Sequence, residues 1–174
     1  MFIWNKNRHF NKITEEFYNR SMADIRELER LLNSYGAKPY IEKNTEKFIT
    51  ASFLYLLYFQ ECALHTIYAS RYRNAASRVT FTLAVEIAGR FHYIPQKYSE
   101  AYVELRRKLS DLAFDERFKK VGIYYAPALS YLQTVFSGEY NPEDVGIYDD
   151  RVECALANFF QTTMKHNMEY LKGK

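Results

Sequence analysis

Residues that break regular structure are scarce here: six glycines and four prolines are spread over 174 positions. That is too few for a many-turned β architecture, and it favours long helices. Cysteine occurs only as Cys62 and Cys154. There is no paired CxxC, so a zinc site of the usual spacing is excluded. Both cysteines lie within apolar helical patterns, where a free thiol behaves as a small hydrophobe. The opening MFIWNKNRHFNKITEE lacks both a continuous apolar segment and a small-residue cleavage site, so no secretory signal is read. The expected setting is cytoplasmic, with reduced thiols. One-signed charge is also missing: a net charge of +3 excludes a strongly basic nucleic-acid binder on composition alone.

Catalytic and cofactor motifs are absent as well. GxGxxG, GxxxxGK[ST], GxSxG and HExxH do not occur, and no cofactor is expected. Di-iron bundles use paired Glu-x-x-His motifs; the nearest feature is Glu61 with His65, four apart and present once. No Arg precedes His9, His65, His92 or His166 by four to six residues, the spacing some helical RNases use. These absences point away from an enzyme.

What is abundant is aromatic: 16 Tyr and 13 Phe beside one Trp. Tyr and Trp enrich interfaces, yet most of these rings fall at core spacing, and codon bias toward AT accounts for their number. The densest stretch is Phe48 to Tyr72, in which Phe53 to Phe59 are all apolar or aromatic. Gln60 and Glu61 end that run well short of the roughly 20 residues a membrane span needs. A helix apolar on most sides is instead enclosed by protein. The reading is an all-α, single-domain bundle of five to six helices around a central hydrophobic helix at about 45–72.

In chain order, residues 1–9 read as a polar lead-in whose Trp4 covers one end of the bundle. The first helix is expected from Phe10 to Asn33, on the spacing of Phe10, Ile13, Phe17, Ile25, Leu28 and Leu32. Gly36 and Pro39 mark a turn, and Asn44 or Thr45 caps the central helix. An uninterrupted helix from there to Arg90 would be roughly 70 Å long, so a break is placed near Asn74. Residues 79–88 alternate like a strand but also place Val79, Leu83 and Ile87 on one helical face, with Ala84, Ala88 and Gly89 permitting close packing; helix is preferred. Ser99 is the expected cap of the next helix, whose apolar face is Tyr102, Leu105, Leu109, Leu112 and Ala113. A further helix carries Pro127 in its first turn and ends before Gly138. The last helix begins at Asp150, which forms a capping-box-like pair with Glu153.

Candidate site residues form several groups. Cys62 and His65 are half of a metal site, with Cys154 and His166 as conceivable completions, though structural roles are the stronger reading. Glu61 and His65 share a helical face. Glu86, inside an apolar run, reads as an ion pair with Arg90 more readily than as a catalytic carboxylate. Arg71, Arg73 and Arg78 form a corner able to hold phosphate or nucleic acid, which Arg90, Arg106, Arg107, Lys108, Arg117, Lys119 and Lys120 could extend.

The segment GEYNPEDVGIYDD has five carboxylates and no Lys or Arg; setting its acids aside turns the net charge from +3 into +8. Its Glu139, Tyr140, Glu143, Asp144, Tyr148, Asp149 and Asp150 combine acids with aromatics, which suits docking to a basic protein. Immunity and antitoxin proteins share this profile of small size, missing catalytic motifs and acidic surface. By that analogy, the expected function is a non-enzymatic module that binds another protein and inhibits or regulates it. The alternatives are a nucleic-acid or phosphate-ligand binder at the Arg71–Arg78 corner, and a helical-bundle enzyme centred on Glu61, His65 and Glu86.

Overall fold

A computed structural model describes residues 2–68, 73–90, 95–113, 124–136 and 150–173. Among the described residues the regular elements are seven helices: α1 (Phe2–Ser34), α2 (Lys38–Lys43), α3 (Thr45–Tyr68), α4 (Arg73–Arg90), α5 (Pro95–Ala113), α6 (Tyr125–Val135) and α7 (Asp150–Lys172). No strand occurs among the described residues, so the all-α expectation holds, with one helix more than expected.

Helix α3 packs against each of the other six, most extensively against α7. Its Phe48, Phe53, Tyr55, Leu56, Leu57, Phe59 and Leu64 are each at most 3% exposed. Because consecutive helical residues point about 100° apart, Leu56, Leu57 and Phe59 enclose the helix on most sides here, with the Leu54–Tyr58–Cys62 edge half-buried. Each such side chain contributes roughly 1.5–3 kcal/mol by leaving water. Among the described residues no helix is long and apolar enough to cross a membrane.

Several buried polar groups on α3 are paired inside the fold, as burial favours. Gln60 Nε2 donates to Phe17 O at 3.0 Å and to Ser21 Oγ at 2.8 Å, tying α3 to α1. Ser52 Oγ and Tyr131 OH lie 2.8 Å apart, and Tyr55 OH and Ser130 Oγ 2.7 Å, forming a hydroxyl seam with α6. Phe160 of α7 fills the space beside that seam. Its ring is 4.8 Å from Phe59, stacked, and 5.6 Å from Tyr131, edge-on.

Several boundaries differ from the sequence expectation. Helix α1 starts at Phe2, not Phe10: residues 2–9 contain no Gly or Pro, so nothing stops the helix from running back through a polar stretch. The covering role of Trp4 concerns a side chain outside the described ones. Gly36 does turn the chain, at a φ of 89° that an L side chain resists. Pro39, however, sits in the first turn of α2 and does not extend the turn.

The expected caps of α3 do not form. Only Asn44 separates α2 from α3, so Phe48 N donates to Asn44 O while Thr45 Oγ1 turns back to Ile41 O at 3.0 Å. Ser99 lies inside α5, which Pro95 opens, in keeping with the preference of proline for first helical positions.

The 79–88 stretch is helical, with Val79, Leu83 and Ile87 buried. Its strand-like alternation arises because Phe81 and Val85 occupy the outward face. Gly89 provides no close packing, since a side chain there would meet nothing within 4 Å. Helix α3 ends at Tyr68 and α4 begins at Arg73, close to the break expected near Asn74. Helix α7 starts at Asp150, as the acidic first turn indicates, with Val152, Leu156, Phe159, Phe160 and Thr163 buried.

Candidate functional site

The enclosure of α3 places one carboxylate where water barely reaches. The Glu61 side chain is 8% exposed, and a buried charge is costly unless partners satisfy it. Three do. Tyr102 OH donates to Glu61 Oε2 at 2.5 Å, and Arg106 Nε approaches the same oxygen at 3.0 Å. His65 Nε2 lies 3.2 Å from Oε1. Tyr102 and Arg106 are four apart on α5, and Glu61 and His65 four apart on α3, so each pair shares a helical face. Glu61 is therefore the polar junction between α3 and α5.

This junction floors an open cleft of about 570 Å³ whose walls include Tyr58 and Cys62 from α3 and Val103, Arg107 and Ser110 from α5. Burial, then the charge of Glu61 and the hydrogen bond to it, push the Tyr102 phenol well above its ordinary 10.0. It remains a proton donor at neutral pH. Burial also pushes the Cys62 thiol above its ordinary 9.0, the reverse of what a thiolate nucleophile needs. With Nε2–H donating to Glu61, Nδ1 becomes the free ring nitrogen of His65.

Of the three residues grouped as an enzymatic centre, Glu61 and His65 meet and Glu86 does not. Glu86 is exposed on α4 and lies outside the cleft lining. The expected Glu86–Arg90 pair does not form; the Arg90 guanidinium sits 4.1 Å over the Tyr18 ring instead, a cation–π contact. Cys62 and His65 gain no metal-binding company. Cys154 Sγ is 2.8 Å from Tyr125 OH, His166 is exposed on α7, and no group of three or more His, Cys, Asp or Glu among the described residues could hold a metal ion.

Glu139, Tyr140, Glu143, Asp144, Tyr148 and Asp149 lie outside the described residues, whereas Asp150 opens α7 and is exposed. Burial and the neighbouring Asp150 charge push the Glu153 carboxyl up. Arg71, Arg117, Lys119 and Lys120 also lie outside the described residues, as does the side chain of Arg73. Arg78 is exposed on α4. Three and seven residues further on are Phe81, 60% exposed, and Val85, 36% exposed, which places all three on one outward stripe. With Val103 of α5, 61% exposed, these two are the exposed large hydrophobics among the described residues.

A second perturbed carboxylate lies where α1 meets α7. Asp24 is pushed up from 3.8 to about 6, first by burial and then by Glu27, against the opposing influence of Arg20, His166 and a hydrogen bond with Thr163.

Sequence reasoning missed Tyr102 and Arg106 as partners of Glu61. Tyr102 fits an apolar stripe and Arg106 a charged face, and 41 residues separate Tyr102 from Glu61. No local pattern encodes that meeting. Comparison with protein-family models, curated proteins and solved structures finds no match for this chain.

Proposed function

We propose that the protein is a non-enzymatic helical module that binds another protein and inhibits or regulates it, in the manner of immunity and antitoxin proteins. The observation that carries this reading is the exposure of Phe81 at 60% in a fold that buries most of its described aromatic rings. Phe81 and Val85 lie together on one helical face, and a contiguous exposed apolar patch with an aromatic anchor suits a contact surface. The outward stripe of α4, with Phe81 and Val85, would anchor the partner. The acids of 139–150 would steer it, which fits a partner with basic surface beside an apolar pocket.

The test is affinity capture from the native host at native abundance, comparing the natural chain with Phe81→Ser/Val85→Ser. The reading expects one stoichiometric partner, recovered at least about tenfold less by the variant, as loss of an anchor implies. Expression of that partner alone should then harm or deregulate cells, and co-expression should reverse the effect. Absence of any stoichiometric partner, or equal recovery by both chains, would overturn the reading.

A further inference from the structure

We propose that the α3–α5 cleft is a binding site for a small phosphorylated ligand with an apolar or aromatic body. The site goes beyond the docking function and shares only Val103 with the apolar residues exposed on α4 and α5.

Both oxygens of Glu61 are engaged, Oε1 by His65 and Oε2 by Tyr102 and Arg106. The carboxylate is thus committed to positioning its neighbours and is not open to a cation. Its bond to Arg106 uses Nε, so the two terminal amino nitrogens of that guanidinium have no partner among the described residues. The guanidinium is held by one edge and presents the other. Arg107 adjoins it on the same wall. It forms no ion pair among the described residues, although Glu104 and Asp111 are within helical reach. Ser110 adds a hydroxyl, three residues beyond Arg107. Arg106 and Arg107 bring two guanidinium groups to the cleft lining, and only the first has a carboxylate partner among the described residues. Together with a hydroxyl, they offer more donors than a carboxylate uses and match the three terminal oxygens of a phosphate.

The other surfaces suit the rest of such a molecule. Val103 and the Tyr58 ring line the same hollow, and 570 Å³ lies within the range of about 300–1,000 Å³ typical of small-molecule sites. A polynucleotide fits less well. Exposed Glu100, Glu104 and Asp111 flank the arginines on α5 and would repel an extended polyanion.

The experiment is an NMR titration of isotope-labelled full-length protein with phenyl phosphate, inorganic phosphate, phenol and a single-stranded oligonucleotide. Phenyl phosphate should saturate, shifting amides in 58–65 and 103–110, and should bind more tightly than inorganic phosphate or phenol. Arg107→Gln should weaken phenyl phosphate about tenfold, the scale of a charge-assisted hydrogen bond. Ser110→Ala should weaken it less. Neither residue supports the fold, so both variants remain informative where Arg106→Gln, which strips Glu61 of a partner, would also destabilise it. Absence of saturable shifts at millimolar phenyl phosphate overturns the proposal. So does affinity unchanged by Arg107→Gln. Tighter binding of the oligonucleotide than of phenyl phosphate would assign the surface to nucleic acid and overturn it equally.

Discussion

Replacing Asp24 by Asn should stabilise the protein at neutral pH and leave it nearly unchanged in acid. Asp24 has a folded-state pKa of about 6 against an ordinary 3.8, so the folded state disfavours its charge. The sign follows from linkage. Below pH 3.8 the group is protonated in both states and stability is at its full value. As pH rises toward 6, the unfolded chain ionises first and stability falls, reaching its floor above the folded pKa. The displacement alone corresponds to about 3 kcal/mol. Because Asp24 is only partly buried, with cations nearby, a realistic gain for Asp24→Asn is about 1–2 kcal/mol. In a chain of this size that raises Tm by about 2–8 °C. Calorimetric scans of both chains at pH 3.0 and pH 7.5 would show it: a higher Tm for Asp24→Asn at 7.5, nearly coincident values at 3.0. Equal or lower Tm at pH 7.5 would mean that Arg20, His166 and Thr163 outweigh the desolvation of the carboxylate, refuting the reasoning.

Three further outcomes follow from the packing. Phe160→Ala removes a fully buried ring from the aromatic cluster and should cost about 3–5 kcal/mol in urea unfolding; a loss below 1 kcal/mol would mean the cluster is loosely packed. Gly36→Ala places a side chain at a φ of 89° and should cost about 1–2 kcal/mol in the same assay, whereas no change would deny that the turn needs that conformation. Cys62, with its thiol pushed up by burial, should react with iodoacetamide more slowly than a free peptide cysteine at pH 7.5 and should reach the peptide rate in denaturant. Equal rates in the native state would remove the case against an activated thiol.

How legible all this was in the sequence depends on whether the signal is local. The unbroken apolar run from Phe53 to Phe59 announces an enclosed helix because no single helical face could hold it, and the acidic first turn at Asp150 marks the start of α7. The early start of α1 was hidden because a polar segment without breakers has no apolar rhythm to read. Phe81 and Val85 imitated a strand because hydrophobicity usually signals burial, and on α4 these two face outward. The site divides in the same way. Glu61 and His65 share a face at a spacing any reader can count. Tyr102 and Arg106 reach Glu61 only through the packing of α5 on α3, and tertiary contacts of that kind leave no periodicity behind. Glu86 was grouped with Glu61 and His65 on chemistry alone, and the direction of α4 sends it elsewhere.

Glu61 joins α3 to α5 through Tyr102 and so holds Arg106 at the cleft. A double-mutant cycle of Glu61→Gln and Tyr102→Phe in urea unfolding measures that junction directly. A coupling energy of about 1–3 kcal/mol is expected, as for a buried charge-assisted hydrogen bond. Additive single-mutant effects would contradict it.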